Sequence, residues 1–305
     1  MAFKQALFGQ VADKRYFMKR RELLEMICNA VSGVYAPDEA RAVAYEVALR
    51  LCGFSRTQAI VDPDADVVEY DAGRIAEVCR QLVDQRPLQY VTGVAEFYGL
   101  ELEVGDGVLI PRPETEELVQ WIVTDSAGCS GLKILDVGTG SGAIAVALAL
   151  NMDAPDVTAV DVSATALDIA RRNAALTGVN VSFAAADVLT HDDAFFNGVT
   201  AGSLDVVVSN PPYIPEHEYA VMRDNVRRYE PSCALFVPDD DPLLFYRVIG
   251  MRSMEMLASG GRLFFEIHEQ FGAEVCRLLK GMGFEEVECR EDMNGKPRMV
   301  RCVKR

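Results

Sequence analysis

The chain has few of the residues that build metal centres. Among 305 residues there are three histidines, His191, His217 and His268, and no two lie close together. The eight cysteines, Cys28, Cys52, Cys79, Cys129, Cys233, Cys276, Cys289 and Cys302, stand singly, and none forms CxxC with another. A zinc site draws its ligands from clusters, so no resident metal is expected. Scattered single cysteines read as free thiols in a reducing compartment. No run approaches the roughly 20 apolar residues of a membrane-spanning helix. The stretch after Lys4 is broken by Gln5, Gln10, Asp13 and Lys14, unlike a signal peptide. A cytoplasmic location is therefore expected. Positive charge is also short: 30 Lys and Arg face 46 Asp and Glu, a net charge of -16. Such a chain repels phosphate backbones, which argues against broad nucleic-acid binding. Internal repeats and low-complexity tracts are absent.

What the chain does have is a full complement of core residues, 50% hydrophobic against 25% charged, in a length that suits two domains. Residues 1–85 read as short, well-punctuated helices. Apolar residues recur at helical spacing over Arg21–Ala30, Ala40–Leu51 and Ala72–Val83, which predicts a small helical bundle. This part is nearly neutral, with 11 basic and 13 acidic residues, whereas the remainder has 19 and 33. Its basic cluster of Lys14, Arg15, Lys19, Arg20 and Arg21 reads as a solvated helix face. Residues 86–110 are β-prone and glycine-punctuated, a β-hairpin connector. In residues 111–305, a helix entered through Pro111 and Pro113 precedes strands and helices that alternate from Lys133 onward. Alternation of this kind predicts a mostly parallel sheet covered on both faces. The final strands, Glu285–Arg290 and Arg298–Val303, are joined too tightly for a helical crossover and should pair antiparallel.

The strand Ile134–Val137 runs into Gly138, Thr139, Gly140, Ser141 and Gly142 and then a helix. Glycines there let a ligand approach the backbone beyond a strand's carboxyl end. The spacing is GxGxG, not the GxGxxG dinucleotide fingerprint, and there is no Walker lysine. The next strand ends at Asp161, 25 residues after Asp136. A carboxylate at that place can accept both hydroxyls of a ribose. Asp187 and Val188 follow the third strand, an acceptor for an exocyclic amine beside an apolar contact for a ring. In this order the three features favour an adenosine ligand, with helix capping the competing role for each aspartate.

A later strand empties into Asn210-Pro211-Pro212-Tyr213. Two consecutive prolines continue neither helix nor strand and stiffen the turn. The Asn210 side chain offers an acceptor oxygen, and the Pro211 carbonyl offers another. Together they can hold both hydrogens of a planar NH2 group while Tyr213 stacks on its face. The glycine loop with this second loop resembles class I methyltransferases that methylate a planar amino nitrogen, including adenine-N6 DNA enzymes. The pair alone leaves the substrate open.

A third block is more specific. Arg86-Pro87-Leu88-Gln89-Tyr90-Val91-Thr92-Gly93, Glu96-Phe97-Tyr98-Gly99 and Val108-Leu109-Ile110-Pro111-Arg112-Pro113-Glu114-Thr115-Glu116 are similar to the HemK/PrmC family, the release factor glutamine N5-methyltransferases. The similarity extends to Tyr229-Glu230-Pro231, Glu266-Ile267 and the closing Asp292, Gly295 and Arg298, and it departs at Val237–Asp241 and His268–Gly272. It implies a Rossmann-like, S-adenosylmethionine-dependent class I methyltransferase fold with an antiparallel last strand, preceded by a small helical domain that binds release factors. The implied cofactor is S-adenosyl-L-methionine, giving S-adenosyl-L-homocysteine, and the implied partners are class I peptide chain release factors. The implied substrate is the glutamine of their Gly-Gly-Gln motif. The cofactor would lie on Gly138–Gly142, Asp161, Asp187, Val188 and Asn210, and the glutamine on Asn210, Pro211, Pro212 and Tyr213. Asn210, Pro211 and Tyr213 would carry the catalysis. A monomer without membrane or nucleic-acid partners is expected. The alternative is a nucleic-acid adenine or guanine N-methyltransferase.

Overall fold

The computed structural model describes residues 18–305 except Glu69 and Asp192. Lys14, Arg15 and the stretch read against a signal peptide lie outside the described residues. The chain divides into two compact units at Thr92 and Gly93.

The first unit is helical: α1 Arg20–Val31, α2 Pro37–Cys52, α3 Arg56–Val61, α4 Ala72–Val83 and α5 Leu88–Thr92. The apolar stripes foreseen in sequence meet in one core of Leu23, Ile27, Ala44, Val47, Ile75, Val78 and Leu82. Local chemistry sets the boundaries. Ser55 and Gln58 form a reciprocal capping box at the start of α3, and Asp71 caps α4 by accepting from the Arg74 amide at 3.0 Å. The described members of the basic cluster are used inside the unit. Lys19 pairs with Asp66 at 2.6 Å and Arg21 with Asp64 at 3.0 Å, while Arg20 donates to the carbonyls of Gln58 and Asp62.

The unit ends later than the sequence suggests. Residues 88–92, assigned above to a β-rich connector, are helical, and Leu88 and Val91 pack on the helical core. Five residues are too few for a period to be read, and packing overrides the β preference of Val91 and Thr92. The hairpin is confined to β1 Val94–Phe97 and β2 Leu100–Glu103. Its two-residue turn, Tyr98 and Gly99, has positive φ at both positions (50° and 76°), the geometry that matches the twist of paired strands.

The principal remaining elements of the second unit, short turns of helix and strand aside, are α6 Pro113–Asp125, β3 Lys133–Val137, α7 Ala143–Asn151, β4 Asp156–Asp161, α8 Ala164–Thr177, β5 Ser182–Ala185, β6 Leu204–Ser209, α9 Leu244–Met256, β7 Leu257–Glu266, α10 Gly272–Gly281, β8 Glu285–Glu291 and β9 Pro297–Val303. Seven strands form one sheet in the order β8-β9-β7-β6-β3-β4-β5. Neighbours from β7 to β5 are parallel, and β9 is antiparallel to both β7 and β8. Alternate side chains feed opposite layers. Ile134, Val206, Val208 and Phe264 join the core beneath α6 and α7, and Leu135, Val207 and Phe265 join the one beneath α9 and α10. The chain leaves β3 toward β4 on one side and returns to β6 on the other. The sheet therefore has its switch point between β3 and β6, where open α/β sheets bind ligands. No helix among the described residues is long and apolar enough to cross a membrane.

Candidate active site

Register brings the sequence-derived loops together. Val137 of β3 sits opposite Val160 of β4 and Ser209 of β6, so the glycine loop, Asp161 and Asn210 emerge side by side. The Ser209 hydroxyl donates to the Val137 carbonyl at 2.6 Å and ties the two strand ends. Beyond them lies a cavity of about 340 Å³. It is lined by Gly138, Thr139, Gly140, Ser141, Asp161, Asp187, Val188, Asn210, Pro211 and Pro212, with Arg112, Thr115, Phe245 and Ile249 completing the wall. Gly142 and Tyr213 are the two sequence-derived site residues that do not line it.

Gly142 has another task. It caps α7 with φ of 81°, and a Cβ built on it would come within 3.0 Å of the Ala170 Cβ on α8. Its small size seats the glycine loop against α8. Asn173 of α8 holds that seat: its Nδ2 donates to the carbonyls of Ser141 and Glu103, both at 2.9 Å, and its Oδ1 accepts the Glu103 amide at 2.6 Å. A fully buried asparagine thus bolts the hairpin to the ligand loop, which no local sequence pattern announces.

Asp161 accepts the amides of Gly140 at 2.8 Å and Ser163 at 2.9 Å, one on each oxygen. Carboxylate oxygens carry two lone pairs each, so both keep an acceptor site on a carboxyl already fixed in direction. Asp187 closes its own turn, accepting from the Leu189 amide and the Thr190 hydroxyl, both at 2.9 Å. It lines the cavity with the same spare capacity. Asp136, inside β3, is completely buried. Its Oδ2 accepts the Thr139 hydroxyl at 2.6 Å, and its Oδ1 has no hydrogen-bond partner among the described residues. Burial drives its pKa from 3.8 up to about 7, opposed by the Thr139 hydroxyl and reinforced by the charge of Asp161. A fixed ribose acceptor, apolar walls and the acidic side chains of Asp161 and Asp187 fit a nucleoside carrying a cationic group.

At the second loop, the Asn210 Nδ2 donates to Thr115 Oγ1 at 3.2 Å. The Thr115 hydroxyl donates to Glu266 Oε2 at 2.5 Å, and the Tyr213 hydroxyl to Glu266 Oε1 at 3.0 Å. Tyr213 packs at the edge of the His268 ring, centroids 6.0 Å apart. Its hydroxyl is held off from ionisation by burial first and by the Glu266 charge next. Burial also raises the Glu266 pKa, against the donors Thr115 and Tyr213 and the nearby charge of Arg298. Arg112, on the cavity wall, is anchored by Glu230, its guanidinium 2.5 Å from Oε1. The second Glu230 oxygen accepts the Ile110 amide at 3.3 Å. Thr115, Glu266, Arg112 and Glu230 stand in the sequence blocks that carry the family resemblance, but residue chemistry alone gave them no role.

A family model described as Methyltransferase small domain matches residues 115–228. A release factor glutamine methyltransferase from Flavobacterium psychrophilum is 37% identical over 275 residues, covering 89% of this chain and 94% of the relative. One from Chlorobaculum tepidum is 41% identical over 274 residues, covering 87% and 91%. A solved structure of a release factor-specific protein-(glutamine-N5) methyltransferase from Alicyclobacillus acidocaldarius is 30% identical. It covers 67% of this chain and 99% of its own, with a TM-score of 0.39. Sequence identity at this level, running through nearly the whole of the first two relatives, makes this chain a member of the release factor glutamine methyltransferase family.

Proposed function

We propose that this enzyme transfers the methyl group of S-adenosyl-L-methionine to the side-chain amide nitrogen, N5, of the glutamine in the Gly-Gly-Gln motif of class I peptide chain release factors. The observation that carries the reading is Asn210. It lines the same cavity as Asp161, and its amide nitrogen is tied back to Thr115, which leaves its oxygen as an acceptor for a ligand.

S-adenosylmethionine, when bound, supplies a methyl group on a cationic sulfur. Asp161 would receive the ribose hydroxyls, Asp187 and Val188 the adenine, and the backbone of Gly138–Ser141 would allow close approach. Asp161 and Asp187, which line the cavity, would supply the acidic surroundings that a sulfonium and an ammonium favour.

The acceptor amide is a weak nucleophile, because its lone pair is shared with its carbonyl. Asn210 Oδ1 and the Pro211 carbonyl would take its two hydrogens. That aims the nitrogen, and orientation of this kind lowers a bimolecular barrier by several kcal/mol. Neither histidine nor lysine lines the cavity among the described residues, consistent with a reaction that loses its proton after transfer and needs no strong base. The work belongs in the cytoplasm, where release factors act.

Purified release factor, DNA and RNA offered in parallel with labelled methyl donor test the reading. Label confined to the Gly-Gly-Gln glutamine, located by peptide mass spectrometry, is the expected outcome. Label on a nucleic-acid base, or none on the factor, overturns it.

A further inference from the structure

We propose that Thr115 and Glu266 are positioning residues that fix which end of the Asn210 amide faces the methyl acceptor. The inference rests on the acceptor role given to Asn210 above.

An asparagine side chain has two ends of nearly the same shape, an acceptor oxygen and a donor NH2. Only the oxygen can receive a hydrogen from an incoming amide. Turned by half a rotation, Asn210 would point donors at donors. Something must set the polarity, and its direction follows from the partners.

The setting begins at Glu266, which closes β7 and is 1% exposed. The hydroxyls of Thr115 and Tyr213 both donate to it, so its two oxygens serve here as acceptors. One oxygen takes the Tyr213 hydroxyl at 3.0 Å and the other the Thr115 hydroxyl at 2.5 Å. The nearby charge of Arg298 opposes the effect of burial on this carboxyl. Thr115 is 4% exposed in the first turn of α6 and has one proton to give. With that proton committed to Glu266, its oxygen presents only lone pairs. The NH2 end of Asn210 is the end that satisfies it, at 3.2 Å. The reversed amide would set oxygen against oxygen and lose a buried bond. A carboxyl group that does not line the cavity thus decides the polarity of an amide that does.

The test uses the full chain with Thr115→Val, which deletes the hydroxyl, and Thr115→Ser, which keeps it. Two measurements run side by side, with thermal melts to confirm folding. In the first, the Asn210 side-chain amide resonances are assigned by their disappearance in Asn210→Ala. Their exchange with solvent is then followed by NMR. Wild type and Thr115→Ser should protect one Nδ2 proton about tenfold or more over Thr115→Val. In the second, kcat and KM are measured on release factor, with the Kd for S-adenosylmethionine by calorimetry. Thr115→Val should lose about 10- to 100-fold in kcat, the scale of a lost orienting group, with KM and Kd within about threefold. Thr115→Ser should recover most of kcat. Equal exchange in all three proteins overturns the proposal. So does a kcat within twofold of wild type, or a parallel loss of kcat and cofactor affinity that Thr115→Ser does not rescue. A wild-type enzyme inactive on release factor sinks the functional reading instead, while the exchange measurement still decides the orientation.

Discussion

Burial raises the Asp136 pKa well above the usual carboxyl range. The sign of the resulting pH dependence follows. Unfolded, the group ionises near 3.8; folded, near 7. Between those values the folded chain holds one more proton, so this residue's contribution to stability is complete below pH 4 and is lost as pH rises through about 7. The full loss is on the order of 4 kcal/mol. The difference in unfolding free energy between wild type and Asp136→Asn, followed by denaturant titration from pH 4 to 8, should slope downward for the wild type; a flat difference would refute the buried proton. Asn210→Ala should lose most of kcat on release factor, since the acceptor amide loses an oriented acceptor and its aim, and near-wild-type turnover would reject its role. Asp161→Ala should weaken S-adenosylmethionine binding by about 1.5–3 kcal/mol, the range for hydrogen bonds to a charged group. Calorimetry is the measure, and unchanged affinity would move the ribose contact elsewhere. Asp161 and Asn210 could be picked out in sequence because one ends a strand and the other follows one directly, whereas Asp136 lies inside its strand and is not singled out. Thr115 and Glu266 could not, because they are 151 residues apart and meet only in the fold.

At the scale of elements, helices and strands with a long period were visible in sequence, and α4 falls at Ala72–Val83 as its spacing requires. The short helix α5 was not visible, since its conformation is imposed by the core it packs on. The glycine loop was seen as a ligand loop throughout, but its last glycine serves packing instead. Gly142→Ala should therefore destabilise the protein by about 1–3 kcal/mol, combining a positive φ with the contact to Ala170. Gly138→Ala, with positive φ and open space around the added Cβ, should cost less stability. Chemical denaturation of both variants reads the comparison, and equal losses would show that the contact with α8 is immaterial.

For the whole molecule, each unit has its own core, and the described residues that line the ligand cavity all lie in the second unit. The helical unit, nearly neutral beside a strongly acidic partner unit, is proposed to grip the release factor. Deleting residues 1–92 should leave cofactor affinity within a few-fold and sharply lower kcat/KM on intact factor, with a smaller loss on a short Gly-Gly-Gln peptide. Equal losses on both substrates would mean that the unit supports the catalytic fold. The polar chain behind Asn210 has one more consequence, for how the protein matures. Its links close stretches of 95 and 151 residues. Loop entropy grows slowly with length, but such bonds cannot form until the sheet that spans them is in place. A chain that has its helices but not its complete sheet has no oriented asparagine. Trp121, the sole tryptophan, packs edge-on against Phe264 of β7 and reports on that sheet. On dilution from denaturant, methyl transfer should return with the slowest phase of Trp121 fluorescence and not before it, so that an active molecule is by construction a finished one.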